Sequence, residues 1–167
     1  MTPLEHTLTS SYKEGMVGYM ADHPEDFDQL IQLAFSSNKP YCWRAAWLLW
    51  DCMEDNDSRI IPYTDRMVDA LPDLKDGHFR ELLKVLLKMD LGEEQEGLLY
   101  DVCVKYWESI SKRPSVRYYA FLLMVRMAKK YPDLQHEIEV LTHSEYIDSL
   151  SPGVRKSVKK RLKEKPV

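Results

Sequence analysis

The sequence predicts an all-α protein. Six glycines among 167 residues are few for a β-sandwich or barrel, whose tight turns consume glycine. Apolar residues recur at helical spacing between breaks, whereas no stretch alternates apolar and polar residues long enough to require a strand. Hydrophobic residues make up 44% and charged residues 30%, and a chain of this length can bury a core of its own. We therefore expect a single domain over residues 1–167.

Breaks that contain Pro, Gly, Asn or Asp divide the chain into predicted helices. Several prolines lie just before a helix or at its first position, where the missing N–H costs no hydrogen bond. Short connections make helix pairs the predicted unit between residues 24 and 150, after an N-terminal helix within 1–22 and before a basic capping helix within 151–167. The predicted helices span about 8–21, 24–36, 41–54, 58–71, 77–90, 94–110, 115–131, 134–148 and 152–164.

Four of these helices open in the same way. A breaker and a large apolar residue precede Arg44, Arg80, Arg117 and Arg155, which are 36, 37 and 38 residues apart. Positions −1, +2, +3 and +6 from each arginine share one helix face. That face is apolar in three copies, and in the fourth copy it includes polar and charged residues, as expected of a capping repeat. The predicted core face consists of Trp43, Ala46, Trp47 and Trp50, then Phe79, Leu82, Leu83 and Leu86, then Val116, Tyr119, Ala120 and Leu123.

The openings Val116-Arg117-Tyr118-Tyr119-Ala120 and Trp43-Arg44-Ala45-Ala46 resemble the second helix of a repeat in the HEAT-repeat family of α-solenoids. The resemblance covers about residues 24–164 and implies a right-handed αα superhelix of about four helical hairpins stacked side by side. Family members often carry an aspartate that pairs with the arginine of the neighbouring repeat. Only Asp76 and Asp148 lie near such positions here, so an irregular stack is expected.

In the HEAT pattern the second helices line the concave side, where positions +1, +4 and +8 from each arginine point away from the core stripe. These positions are apolar, basic, apolar and basic in the successive copies. Because monomers seldom expose apolar patches, the pattern indicates a groove for a protein or peptide with acidic residues, or one closed by a second copy in a homo-oligomer. Burial of these helices on two sides is the alternative. The predicted partner-binding residues are Leu48, Lys84, Lys88, Tyr118, Phe121, Lys156, Lys159 and Lys163.

Basic residues are concentrated near the C-terminal end of the sequence. The segment from Arg155 to Lys165 holds seven basic residues and one acidic residue, although the formal net charge of the chain is −4. An acidic body with one basic helix is not typical of a nucleic-acid binder, so binding to nucleic acid is not expected. The segment indicates either a solvated terminal helix or a local anion-binding patch.

A second hypothesis comes from a different class of function. Some HEAT-like solenoids resemble DNA alkylation-repair glycosylases, which use a basic concave track with aromatic and acidic residues. Trp43, Trp47, Trp50 and Asp51 with the inner lysines offer such groups. Their spacing is also that of a core face, and the acidic body disfavours DNA.

No catalytic, metal or cofactor motif stands out. The five histidines form no HExxH motif, and Asp51–Asp57 lacks the glycine and terminal glutamate of a calcium loop. Three cysteines without short spacing indicate reduced intracellular thiols. The longest apolar run, Tyr118–Val125, is too short to cross a bilayer. We expect a cytoplasmic, non-catalytic interaction scaffold that uses no cofactor or metal and does not enter membranes.

Overall fold

A computed structural model describes residues 1–164, and every regular element in that range is a helix. The prediction of an all-α fold built from helical hairpins is confirmed. The last residues of the predicted capping segment, Lys165, Pro166 and Val167, lie outside the described residues. Two compact units are distinguished, Met1–Leu91 and a second that starts at Gly92. No helix among the described residues is long and apolar enough to cross a membrane.

The first unit contains six α-helices, and the segment 1–22 contributes two of them instead of the single helix predicted at 8–21. The first begins early because Thr2 and Glu5 form a capping box and Pro3 occupies the first helical position. It ends where Thr9 and Ser10 turn their hydroxyls back onto the His6 carbonyl. The helices are α1 (Pro3–Ser10), α2 (Lys13–Asp22), α3 (Phe27–Ala34), α4 (Cys42–Cys52), α5 (Thr64–Ala70) and α6 (Asp76–Leu86).

Helix α4 lies between two neighbours, because it packs on α3 and also on α6. Both sides of α4 are therefore covered, and five of its eleven residues are buried. The loop from α4 to α5 turns at Asn56, which has φ 47°, a left-handed conformation that asparagine tolerates better than most residues. The side chain that organises this loop is the next one, Asp57.

Asp57 is 3% exposed and accepts four hydrogen bonds. Its Oδ2 accepts from the Glu54 amide at 3.0 Å and from Arg59 Nη2 at 2.7 Å. Its Oδ1 accepts from the Arg59 amide and from Arg59 Nε, both at 3.0 Å. The bonds from the Arg59 side chain, followed by those from the two amides, hold the pKa of Asp57 at about 2.

We expect Asp57→Asn to lower the free energy of unfolding by about 1–2 kcal/mol at pH 7. A carboxylate whose folded pKa is depressed stabilises the fold above its unfolded pKa of about 4, and that stability is lost as the pH falls from about 4 to about 2. Urea unfolding between pH 2.5 and 7 should show the wild type and the variant converging below pH 4. The exposed Asp55→Asn serves as control, and a difference that persists unchanged at pH 2.5 would contradict the assignment.

The described part of the second unit, up to residue 164, contains five α-helices. Helix α8 packs on α7, on α9 and on α11, so it is the central helix of this unit. The predicted helix 134–148 is divided into a 3-10 turn at Pro132–Leu134 and two helices, with Thr142 and His143 between them. The helices are α7 (Glu93–Glu108), α8 (Pro114–Lys130), α9 (Gln135–Leu141), α10 (Ser144–Ile147) and α11 (Pro152–Lys163).

The four arginines of the repeat occupy matching positions, because each lies within the first five residues of α4, α6, α8 or α11. Three of them donate to backbone carbonyls near helix ends, where unpaired acceptors remain and a cation is favoured. Arg44 donates to the Leu8 carbonyl at 2.5 Å and to the Ser11 carbonyl at 2.6 Å. Arg155 Nη2 donates to the Asp148 carbonyl at 2.9 Å, so the carboxylate of Asp148 takes no part in this bond.

Arg117 makes the most extensive of these contacts and is fully buried. Its Nε donates to the Trp107 carbonyl at 2.9 Å, its Nη2 to the Tyr146 carbonyl at 2.7 Å and its Nη1 to Ser149 Oγ at 2.8 Å. The guanidinium also lies 4.6 Å from the centre of the Trp107 ring. One side chain thus joins the end of α7, the start of α8 and the α10 region.

Candidate functional site

Two predicted partner-binding residues prove to be core residues. Leu48 is 1% exposed and Phe121 is fully buried, so neither can contact a partner. The prediction that they face a groove is wrong because α4 and α8 are each covered by more than one neighbouring helix. For these two residues the alternative, burial on two sides, is correct. Tyr118 is half-buried, with its ring 5.8 Å from that of Tyr119.

Lys84 and Lys88 are half-buried and contact Trp50. Their ammonium groups lie 4.5 Å and 4.2 Å from the centre of the Trp50 ring. Lys88 Nζ also donates to the Trp50 carbonyl at 3.0 Å, and Lys84 Nζ lies 3.3 Å from Glu81 Oε2. Lys84 therefore attaches α6, and Lys88 the turn that follows α6, to the end of α4, a structural role that sequence reasoning did not assign to them.

The predicted residues Lys156, Lys159 and Lys163 lie on one exposed side of α11, together with Lys160. Residues three, four and seven positions apart share a helix face, and at 1.5 Å per residue this lysine row is about 10 Å long. Within residues 1–164 none of the four lysines forms an ion pair or a side-chain hydrogen bond. Pro152 and Arg155 lie on the same open side of the helix.

Helix α11 is held in place by its opposite side. Val158 is fully buried, and α11 packs on α8. Near its start, Arg155 donates to the carbonyls of Asp148 and Leu150. These contacts fix the position of the helix, and the lysine row lies on its exposed side. Its last turn carries Lys160, Arg161 and Lys163, where cations are favoured by the helix dipole.

A second open site lies in the first unit, around Trp43. This residue was predicted to be in the core but is 44% exposed. It borders a cleft of about 630 Å³ between the Ser37–Pro40 loop and the residues that lead into α6. Lys39 lines the cleft from the loop, and Asp73, Lys75 and Arg80 line it from the opposite segment. We call this the Trp43 cleft.

The charge at the Trp43 cleft is positive because its basic groups outnumber its single carboxylate, Asp73. Arg80 Nε lies 3.1 Å from Glu81 Oε1, and this ion pair offsets the charge of Arg80. The positive charge at the cleft therefore comes from Lys39 and Lys75. His78, 8% exposed, is held by its Nε2 against the Ala34 carbonyl at 2.6 Å. Burial lowers the pKa of His78, so its ring is neutral at pH 7.

The aromatic track of the DNA-repair hypothesis is only partly open. Trp50 is covered by the two lysines described above, and Lys13 Nζ lies 5.6 Å from the centre of the Trp47 ring. The carboxylate of Asp51 pairs with the same Lys13 at 3.2 Å. Of the three tryptophans in α4, Trp43 alone is exposed enough to stack on a ligand.

A polar cluster in the second unit is centred on the buried Glu96 and is internally paired. Glu96 is 3% exposed and accepts from Lys130 Nζ at 2.7 Å and from Tyr131 Oη at 2.9 Å. These bonds raise the pKa of both Lys130 and Tyr131, Glu96 being the main cause in each case. The cluster joins the start of α7 to the end of α8. Among residues 1–164, no three His, Cys, Asp or Glu side chains are arranged to hold a metal ion.

Comparison with known proteins identifies a family. A family model described as a HEAT repeat domain matches residues 2–165. No curated protein and no solved structure matches the chain at a significant level.

Proposed function

The chain belongs to the HEAT repeat family, and on this premise we propose that it is a non-catalytic interaction module that binds an acidic segment of a partner protein at the lysine row of α11. HEAT repeats are helical scaffolds that generally mediate contacts between proteins. The observation that carries the proposal is the row itself, four exposed lysines on one face without an ion pair among the described residues.

Charge complementarity selects the partner. Like charges at i, i+3 and i+4 repel one another, so an unpaired row costs stability unless an anionic partner offsets it. Acidic side chains would supply that offset, and the lysines would speed the encounter and set the register of the bound segment. Apolar contact is available alongside, because Pro152 and the methylene stems of the lysines lie on the same side of α11.

A protein partner is favoured over DNA by the distribution of charge. Nucleic-acid binding surfaces are usually basic over a wide area, whereas this chain is acidic in total and its unpaired cations concentrate on one helix. Phosphates would nevertheless fit the same lysines, so DNA binding is the second candidate function. The two candidates differ in their response to nuclease.

The test is capture of the native partner by the tagged full chain. We expect Lys156→Glu, Lys159→Glu and Lys163→Glu together to abolish capture, because the charge of the row is reversed. A matched variant, Lys105→Glu, Arg113→Glu and Lys129→Glu, makes the same change in net charge at exposed positions of the second unit and should still capture the partner. Loss of capture by both variants would contradict the proposal.

Nuclease treatment distinguishes the two candidates in the same experiment. A protein partner should remain bound to the wild type after nuclease treatment, and the purified partner should bind with an affinity that falls as salt rises. Capture that disappears with nuclease, together with binding of a 20-base-pair duplex by the wild type but not by the α11 variant, would replace the proposal with the DNA-binding function.

A further inference from the structure

We propose that the Trp43 cleft is a second binding site, which takes a linear acidic peptide segment with an apolar side chain packed on the Trp43 indole. This site is separate from the lysine row, since the cleft lies wholly in the first unit and the row lies in the second. The inference is therefore independent of the function proposed for α11.

The exposed indole provides the apolar contact. Trp43 lies in the first turn of α4 and is 44% exposed, although the equivalent positions before the repeat arginines, Phe79 and Val116, are buried. Its ring stacks on Trp47 with centroids 6.3 Å apart and planes inclined by 29°. The stacking orders the indole before any ligand arrives, so little side-chain entropy remains to be lost on binding. Tryptophans in such positions often dominate binding energy.

The charges at the cleft select acidic neighbours for that apolar side chain. Lys39 and Lys75 are exposed, and neither forms an ion pair within residues 1–164. Asp73 is the single carboxylate that borders the cleft. An acidic ligand would therefore be attracted, and a basic ligand repelled, over a distance of about one Debye length.

The size and walls of the cleft fit a peptide. A volume of about 630 Å³ lies within the range of ordinary ligand sites and accommodates a few residues of an extended chain. Ser37 and Asn38 are exposed in the wall and can form hydrogen bonds with a peptide backbone. No glycine-rich phosphate loop is present in the sequence, so a nucleotide is disfavoured although its base could also stack on Trp43.

The experiment uses the full ¹⁵N-labelled chain, whose four tryptophans give four indole N–H signals. The probe is a capped heptapeptide with one leucine between two runs of three glutamates, and Trp43→Phe identifies the Trp43 signal. We expect that signal to shift on titration while the other three move little. The same peptide with lysines in place of the glutamates should leave it unchanged.

Two variants test the contributions separately. The affinities of the two Trp43 variants are measured by calorimetry, because these variants lack the Trp43 signal. Trp43→Ala should weaken binding about tenfold or more, and Trp43→Phe should keep most of the affinity. The pair Lys39→Glu and Lys75→Glu should abolish the shift, whereas Lys105→Glu and Lys129→Glu, with the same charge change in the second unit, should not. Because Lys39 and Lys75 are exposed, their variant folds even if Trp43→Ala does not.

Three results would overturn the inference. They are an unmoved Trp43 signal at millimolar peptide, an equal shift with the lysine peptide, and a shift produced by adenosine monophosphate but not by the acidic peptide. Reversal of the α11 lysines should leave the titration unchanged, so failure of this site and failure of the α11 proposal are separately observable.

Discussion

Arg117→Ala is expected to lower the free energy of unfolding by about 3–5 kcal/mol, among the largest effects of any single substitution in this chain. The change removes a fully buried guanidinium and leaves the Trp107 carbonyl without a donor, while the Tyr146 carbonyl keeps only the longer bond from Ser149 Oγ at 3.2 Å. Each buried acceptor left unpaired costs about 1–3 kcal/mol. Loss of packing against the Trp107 ring adds to this.

Chemical denaturation at pH 7 measures this effect, with a thermal midpoint expected to fall by about 10 °C for a chain of this size. Arg113→Ala, an exposed arginine at the start of the same helix, is the control and should cost less than about 0.5 kcal/mol. Arg117→Lys keeps the charge but cannot reproduce the fork of donors, so it should lie between the two. Equal stability of wild type and Arg117→Ala would show that the guanidinium does not join these elements.

Phe121→Ala is expected to have the second large effect. It should lower the free energy of unfolding by about 3–5 kcal/mol, because it leaves an unfilled cavity in the second unit. Phe121 is fully buried, and its ring centre lies 5.2 Å from that of Trp107. Tyr118, which is half-buried and lies three residues earlier on α8, is the comparison. Its replacement by alanine should lower the free energy of unfolding by less.

Denaturant midpoints and partner capture, measured on both variants, decide the role of this helix face. If Phe121→Ala folds with unchanged stability but no longer captures the partner, then Phe121 faces a groove as the sequence pattern predicted, and the burial described here is wrong. A stability loss confined to Phe121→Ala would support the placement of Phe121 in the core.

The all-α fold and the spacing of the repeat could be predicted, because both depend on residues close together in the sequence. Prolines and polar clusters mark the breaks, and an arginine near the start of α4, α6, α8 and α11 recurs at a nearly constant interval. The missed break at Ser11-Tyr12 has a local cause too. It depends on side-chain hydroxyls that hydrogen-bond to backbone carbonyls of their own helix and so compete with the helical hydrogen bonds. A search for apolar periodicity does not detect this effect.

The candidate site was less predictable, because helix-wheel positions do not say how many neighbours a helix has. Leu48 lies outside the expected core stripe and is nevertheless buried, since α4 packs on α3 as well as on α6. Trp43 lies within that stripe and is nevertheless exposed beside a cleft formed by two loops. The exposure of Lys156, Lys159 and Lys163 followed from charge alone, and their binding role stays a prediction.

The arginine contacts to main-chain carbonyls have a consequence for how such a molecule tolerates change. Every residue type supplies the same backbone oxygen, so Leu8, Ser11, Tyr146 and Asp148 can be replaced in the course of evolution without removal of the acceptor that Arg44, Arg117 or Arg155 uses. Carbonyls also do not titrate, so these links persist across the acidic range in which a ladder of carboxylates would be lost. Divergent sequences can therefore retain a common spacing between helices while their side chains drift.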